Sequence, residues 1–133
     1  MFDVDPKSER LDQLTEKIIG CAIEVHKALG PGLLESAYEE CLCFELSSVG
    51  LGFARQVSLP VVYKQIKLDC GYRLDIIVDD LVIVEIKAVE RLAPIHEAQL
   101  LSYLRMLDKR VGLILNFHST ILKSGIKRIV NNY

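Results

Sequence analysis

The stretch Tyr72-Arg73-Leu74-Asp75-Ile76-Ile77-Val78-Asp79-Asp80-Leu81-Val82-Ile83-Val84-Glu85-Ile86-Lys87 decides the fold. Two runs rich in Ile, Val and Leu flank Asp79-Asp80, which predicts paired antiparallel strands over 73–78 and 81–88. Polar side chains on strands this apolar need a partner or a task. Side chains alternate along a strand, so Glu85 and Lys87 project together and Ile86 lies opposite.

Pairing parity decides whether Asp75 can meet Glu85. A plain two-residue turn at Asp79-Asp80 would put Asp75 opposite Val84, on the face away from Glu85. A three-residue loop or a bulge between Val78 and Val82 shifts the register by one and lets the two carboxylates converge. The expectation is such an irregularity. Converged, Asp75, Glu85, the Ile86 carbonyl and waters would suit Mg²⁺ or Mn²⁺, which take hard oxygen ligands. Lys87 could then orient a water or stabilise charge on a phosphate oxygen. The competing reading is a pair of salt bridges, for example with Arg73 and Lys87.

Outward from this hairpin, the period changes. Upstream, Leu11, Leu14, Ile18, Cys21, Ala22, Val25 and Leu29 recur at helical spacing and predict a helix over 8–29. Gly30-Pro31-Gly32 breaks it, and a second helix is expected over 33–48, stopped by Gly50. Residues 56–63 and 66–70 read as two further strands, with a turn at Lys64-Gln65. Together with 73–78 and 81–88 they are expected to form an antiparallel meander. Downstream, Pro94 opens a helix over 94–108, with Ala98, Leu101, Leu104 and Leu107 expected inward. Residues 111–117 are continuously apolar and predict a buried strand, parallel to 81–88 across the helical crossover. Residues 121–130 read as a weaker final strand.

The 133 residues are expected to form a single domain, 1–133, around one core. The fold class is α/β, a mixed β-sheet flanked by helices. No apolar run reaches transmembrane length, and the polar, acidic start is not that of a signal peptide. Cys21, Cys41, Cys43 and Cys70 have neither zinc nor disulfide spacing and are expected as reduced, mostly buried thiols of a cytoplasmic protein. The net charge of −2 argues against a strong nucleic-acid binder. The distribution is uneven, however. Residues 1–50 carry 4 Lys+Arg against 10 Asp+Glu, and residues 91–133 carry 7 against 2. The basic third could face a phosphate backbone or simply be solvated.

Two more pairs stand out. Glu35 and Tyr38, in Gly32-Leu-Leu-Glu35-Ser-Ala-Tyr38, lie one turn apart. Glu35 could give a third carboxylate or serve the helix dipole. Gln99 and Tyr103 share a helix face, with Leu100 and Leu104 pointing elsewhere. They could hold Lys87 or contact a phosphate, or form an ordinary amphipathic boundary. His26 invites a metal reading or a helix-end one. His96 and His118 are read as surface or strand-end residues. Arg73 contacts a phosphate or balances Asp75.

Asp75, then Glu85-x-Lys87, then Gln99-x-x-x-Tyr103 resembles the PD-(D/E)XK nuclease superfamily. The trailing Gln/Tyr helix is similar to that of its recombination-exonuclease branch, and Gly32-x-x-Glu35-x-x-Tyr38 to the small GxxExxY proteins. The name-giving proline is replaced by Leu74. The resemblance implies a restriction-endonuclease-like α-β-β-β-α-β core with an extra N-terminal helix. It implies metal ligation by Glu35, Asp75, Glu85 and the Ile86 carbonyl, an active-site Lys87, and support from Gln99 and Tyr103. The implied activity is Mg²⁺- or Mn²⁺-dependent hydrolysis of nucleic-acid phosphodiesters, with DNA the expected polymer. No iron–sulfur cluster and no membrane are expected, whereas a homo-oligomer or a protein partner fits a chain this small. The alternative is a catalytically silent nucleic-acid- or protein-binding module on the same fold.

Overall fold

The computed structural model describes residues 6–133. Helix α1, Pro6–Leu29, buries one stripe: Leu11, Leu14, Ile18, Cys21, Ala22 and Val25. It ends at Gly30, whose φ of 68° is the left-handed geometry of a helix C-terminus, and whose N–H donates to the His26 carbonyl at 2.8 Å. Helix α2, Glu35–Ser48, starts two residues later than its sequence pattern suggests. After it come β1 (Phe53–Ser58), β2 (Val61–Tyr63), β3 (Ile66–Leu68), β4 (Arg73–Val78) and β5 (Val82–Lys87). Helix α3, Pro94–Leu107, β6, Val111–Asn116, a 3-10 turn at Leu122–Gly125 and β7, Ile126–Val130, complete the chain.

The main sheet runs β1-β4-β5-β6-β7. β5 and β6 pair in parallel, as the crossover requires, and the other neighbours pair antiparallel. The expected four-strand meander does not form. β1 skips its neighbours and pairs with β4, while β2 and β3 pair only with each other. Local strand signals report extended backbone but not its partner, and the Leu59-Pro60 step ends the first strand before the expected 63. Removing the β2–β3 excursion leaves α2-β1-β4-β5-α3-β6, the expected core order, with α1 added.

One face of the sheet packs under α1 and α2 through Ile76, Val78, Val84, Ile86, Leu113 and Leu115. The other packs under α3 through Ile77, Ile83 and Ile114. Every residue of β6 is buried, which explains its unbroken apolar run. The inward face of α3 is Leu100, Tyr103 and Leu104, and Ala98 is exposed, contrary to expectation. The misreading is one of phase: Gly112 on β6 leaves the space Leu100 fills, since a Cβ there would lie 2.9 Å from the Leu100 side chain. Among the described residues, no helix is long and apolar enough to cross a membrane.

Candidate metal centre

β4 and β5 close with Val78 opposite Val82, so Asp79, Asp80 and Leu81 form a three-residue loop. Asp79 and Asp80 take φ of 51° and 56°, and Leu81 N–H donates to the Val78 carbonyl at 2.9 Å. Aspartate tolerates this left-handed geometry better than a β-branched residue would. The loop is the expected register shift. The ladder continues to Ile76 opposite Val84, and one step further brings Asp75 opposite Glu85.

There the ladder stops and side chains take over. The Asp75 N–H donates to Glu85 Oε2 at 2.8 Å, and the Ile86 N–H donates to Asp75 Oδ2 at 2.8 Å. Each carboxylate caps the other strand's backbone with one oxygen. Glu85 is 6% exposed, and Asp75 is half-buried. Burial, then the Asp75 charge, push the Glu85 carboxyl up to about 8, against backbone donation from Asp75 and the nearby Lys87. Burial also raises Asp75, opposed by the Ile86 N–H. Two facing carboxylates in this setting resist ionising together unless a cation joins them. Their second oxygens accept no hydrogen bond among the described residues. This donor set fits a magnesium-type ion, which uses one or two carboxylates and keeps waters.

The salt-bridge reading of this hairpin is not what forms. Among the described residues, the ion pairs join Arg55 to Glu39 and Glu40, Lys109 to Asp80, and Arg128 to Asp12. Lys87 is half-buried beside the pair and Arg73 is exposed. Glu35 stands at the first position of α2, where its Oε2 accepts the Ala88 N–H at 3.2 Å just past the end of β5. It thus approaches the site, but among the described residues no three His, Cys, Asp or Glu side chains gather as a metal cage.

Tyr38 holds the approach of α2. It is fully buried and stacked on Phe117 at 4.5 Å. Its hydroxyl donates to the Gly30 carbonyl at 2.6 Å and accepts the Leu33 N–H at 3.1 Å, which fixes the loop leading to Glu35. From the opposite layer, Tyr103 is buried against the carboxylates. Burial, then Glu85, raise its phenol, and its ring meets Tyr72 edge-on at 6.3 Å. Gln99 is half-buried one turn earlier. His26 Nε2 bonds to the Ser119 carbonyl at 2.8 Å, a tie between α1 and the loop after β6. His96 Nδ1 accepts the Ala93 N–H at 3.0 Å and caps α3; His118 is exposed.

Two residues have roles that the motifs do not announce. Glu39 is 7% exposed and receives Arg55 through Nε and Nη2 at 3.2 and 2.8 Å, and Gln56 Nε2 at 2.9 Å. Consecutive strand residues normally face opposite ways. Arg55 and Gln56 reach the same carboxylate because Gln56 has a φ of 49°. The β1–β4 register pairs Arg55 with Ile76 and Val57 with Leu74, but the Gln56–Asp75 rung between them is missing. The face alternation breaks there too: Leu74 packs under α3 and Ile76 under α1 and α2. Glu39 therefore clamps the kink that detaches Asp75 from β1. Its one sequence signal is position i+4 from Glu35, on the same helix face.

Asn116 is the other. It pairs in register with Lys87. Its side chain receives the Val89 N–H at 3.1 Å and donates to the Val89 carbonyl at 2.9 Å, pinning the chain after Lys87.

A family model described as the PD-(D/E)XK nuclease superfamily matches residues 12–129. No curated protein and no solved structure matches the chain.

Proposed function

This chain belongs to the PD-(D/E)XK nuclease superfamily, and from that membership we propose that it is a divalent-metal-dependent nuclease hydrolysing phosphodiester bonds, with DNA as its substrate. The carrying observation is the reciprocal capping of Asp75 and Glu85, a half-buried and a buried carboxylate that each spend one oxygen on the other strand's backbone. Asp75, Glu85 and the Ile86 carbonyl would hold Mg²⁺ or Mn²⁺, with Glu35 approaching from α2. When bound, the ion supplies Lewis-acid charge against the developing negative charge on the phosphate.

The chain's own groups do the rest. Lys87 projects on the Glu85 side of β5, and no carboxylate lies within ion-pair distance of it among the described residues. It orients the attacking water and neutralises a phosphate oxygen. Tyr103 and Gln99 wall this face from α3 and hold Lys87 or the substrate in line. Burial around Glu85 keeps the dielectric low, which strengthens each of these interactions. The Gly32-x-x-Glu35-x-x-Tyr38 signature supports a place among the GxxExxY proteins, and Gln99-x-x-x-Tyr103 supports the recombination-exonuclease branch.

The test is a cleavage assay on single- and double-stranded DNA and RNA with Mg²⁺ or Mn²⁺. Cleavage by the purified chain should vanish with chelator, in Glu85→Gln and in Lys87→Ala. Equal cleavage by the wild type and both variants would assign the activity to a contaminant and sink the proposal.

A further inference from the structure

The β2–β3 hairpin has no place in the core. Residues 62–73 are all exposed, and β2 and β3 pair only with each other. The register sets Tyr63 opposite Ile66 and Val61 opposite Leu68. Cross-strand partners share a face, so Val61, Tyr63, Ile66 and Leu68 make one apolar face, half-covered at Val61 and exposed at the other three among the described residues. Tyr63 is 60% exposed and Ile66 55%. A soluble chain exposes such a face at a cost unless something covers it.

Position and charge indicate what covers it. The hairpin leaves the sheet after β1 and returns at Arg73, two residues before Asp75. Its base is pinned by the Leu59 N–H donating to the Tyr72 carbonyl at 2.9 Å. Three-residue strands reach about 10 Å, so the hairpin stays tethered a short reach along the chain from Asp75. Lys64, Lys67 and Arg73 outnumber Asp69 in this segment, although the whole chain carries −2. Lys64 Nζ sits 5.4 Å from the Tyr63 ring centre, putting a cation beside an exposed aromatic face. Tyr72, also exposed, leads inward to Tyr103 by its edge contact.

We propose that this hairpin is a binding arm for an unpaired nucleic-acid strand, with bases stacked on Tyr63 and the backbone held by Lys64 and Lys67. The inference rests on the nuclease reading and narrows its substrate to single strands or frayed ends. Aromatic stacking with neighbouring cations is how single strands are held without reading sequence. The apolar Ile66 and Leu68 favour unstacked bases over the charged exterior of a duplex.

The test is fluorescence anisotropy with a labelled single-stranded oligonucleotide and a matched duplex, in chelator so that nothing is cleaved. The wild type should prefer the single strand. Tyr63→Ala should weaken binding roughly ten-fold, while Tyr63→Phe should retain it. Lys64→Ala with Lys67→Ala should lower the slope of log affinity against log salt by about 1.4. Mn²⁺ titration of each variant should match the wild type, since the hairpin lies outside the metal centre. The arm is overturned if the wild type binds no oligonucleotide, or if Tyr63→Ala binds as well as wild type. It is also overturned if sedimentation shows a dimer that Tyr63→Ala dissolves, because the face then covers a second copy. Failure of the nuclease reading itself would appear separately, as a wild type that takes up no Mn²⁺.

Discussion

The Asp75 N–H donates to Glu85 Oε2 at 2.8 Å, one step past the last rung of the β4–β5 ladder. A side chain thus does a backbone carbonyl's work, and the strands part where two acids face each other. The arrangement costs stability in the absence of a cation, because both carboxyls are pushed toward the neutral form.

That cost gives a pH dependence with a definite sign. The Glu85 carboxyl lies at about 8 in the folded chain, against 4.5 ordinarily. Between these values the folded chain binds the proton more tightly than the unfolded chain. The resulting stability is fully present below about 4.5 and is lost as pH rises through about 8. In chelator, thermal unfolding should show this decline, and Glu85→Gln should shrink it to the part that the raised Asp75 carboxyl contributes. At pH 8 that variant should melt several degrees above the wild type, on the order of 1–3 kcal/mol. A Glu85→Gln profile parallel to wild type would contradict the buried-acid assignment.

The Glu39 clamp should matter to the metal as well as to stability. Glu39→Ala leaves Arg55 with Glu40 alone and frees Gln56, which should cost about 1–3 kcal/mol in denaturant unfolding. If the kink at Gln56 sets Asp75, Mn²⁺ affinity should also fall roughly ten-fold, as it does when supporting groups of a metal site are lost. Gln56→Gly, which accepts the positive φ, should keep more affinity than Gln56→Val. Unchanged affinity in a destabilised Glu39→Ala would reduce the clamp to a packing feature.

Tyr38→Phe keeps the stack on Phe117 and deletes the hydroxyl shared by Gly30 and Leu33. The loss should be about 0.5–1.5 kcal/mol, the net worth of an ordinary hydrogen bond, since Gly30 and Leu33 keep some access to water. Amide exchange should quicken at Leu33, whose N–H loses its acceptor. Protection at Leu33 equal to wild type would show that the loop is held by other means.

The sequence said more about how Asp75 and Glu85 come to face each other than about the pairing of the strands before them. The need for Asp75 and Glu85 to share a face predicts the three-residue loop, because side-chain parity is strictly two. The family resemblance supplies the order of the core elements. Glu39 stayed hidden because its role depends on the positive φ of Gln56, a distortion that no propensity marks. The β2–β3 excursion was misread as part of a meander, since β-branched residues signal a strand without naming its partner. The inward face of α3 was misread because Leu100, Leu101 and Leu104 leave two phases open, and the space above Gly112 selects one.

The most direct measurement is a calorimetric titration of the chelator-treated chain with Mn²⁺ at pH 8, beside Asp75→Asn and Glu85→Gln. Binding at the carboxylate pair predicts uptake by the wild type, release of protons, and loss of that uptake in both variants while the fold is kept. No uptake by a folded wild type, or uptake undiminished in both variants, would contradict it.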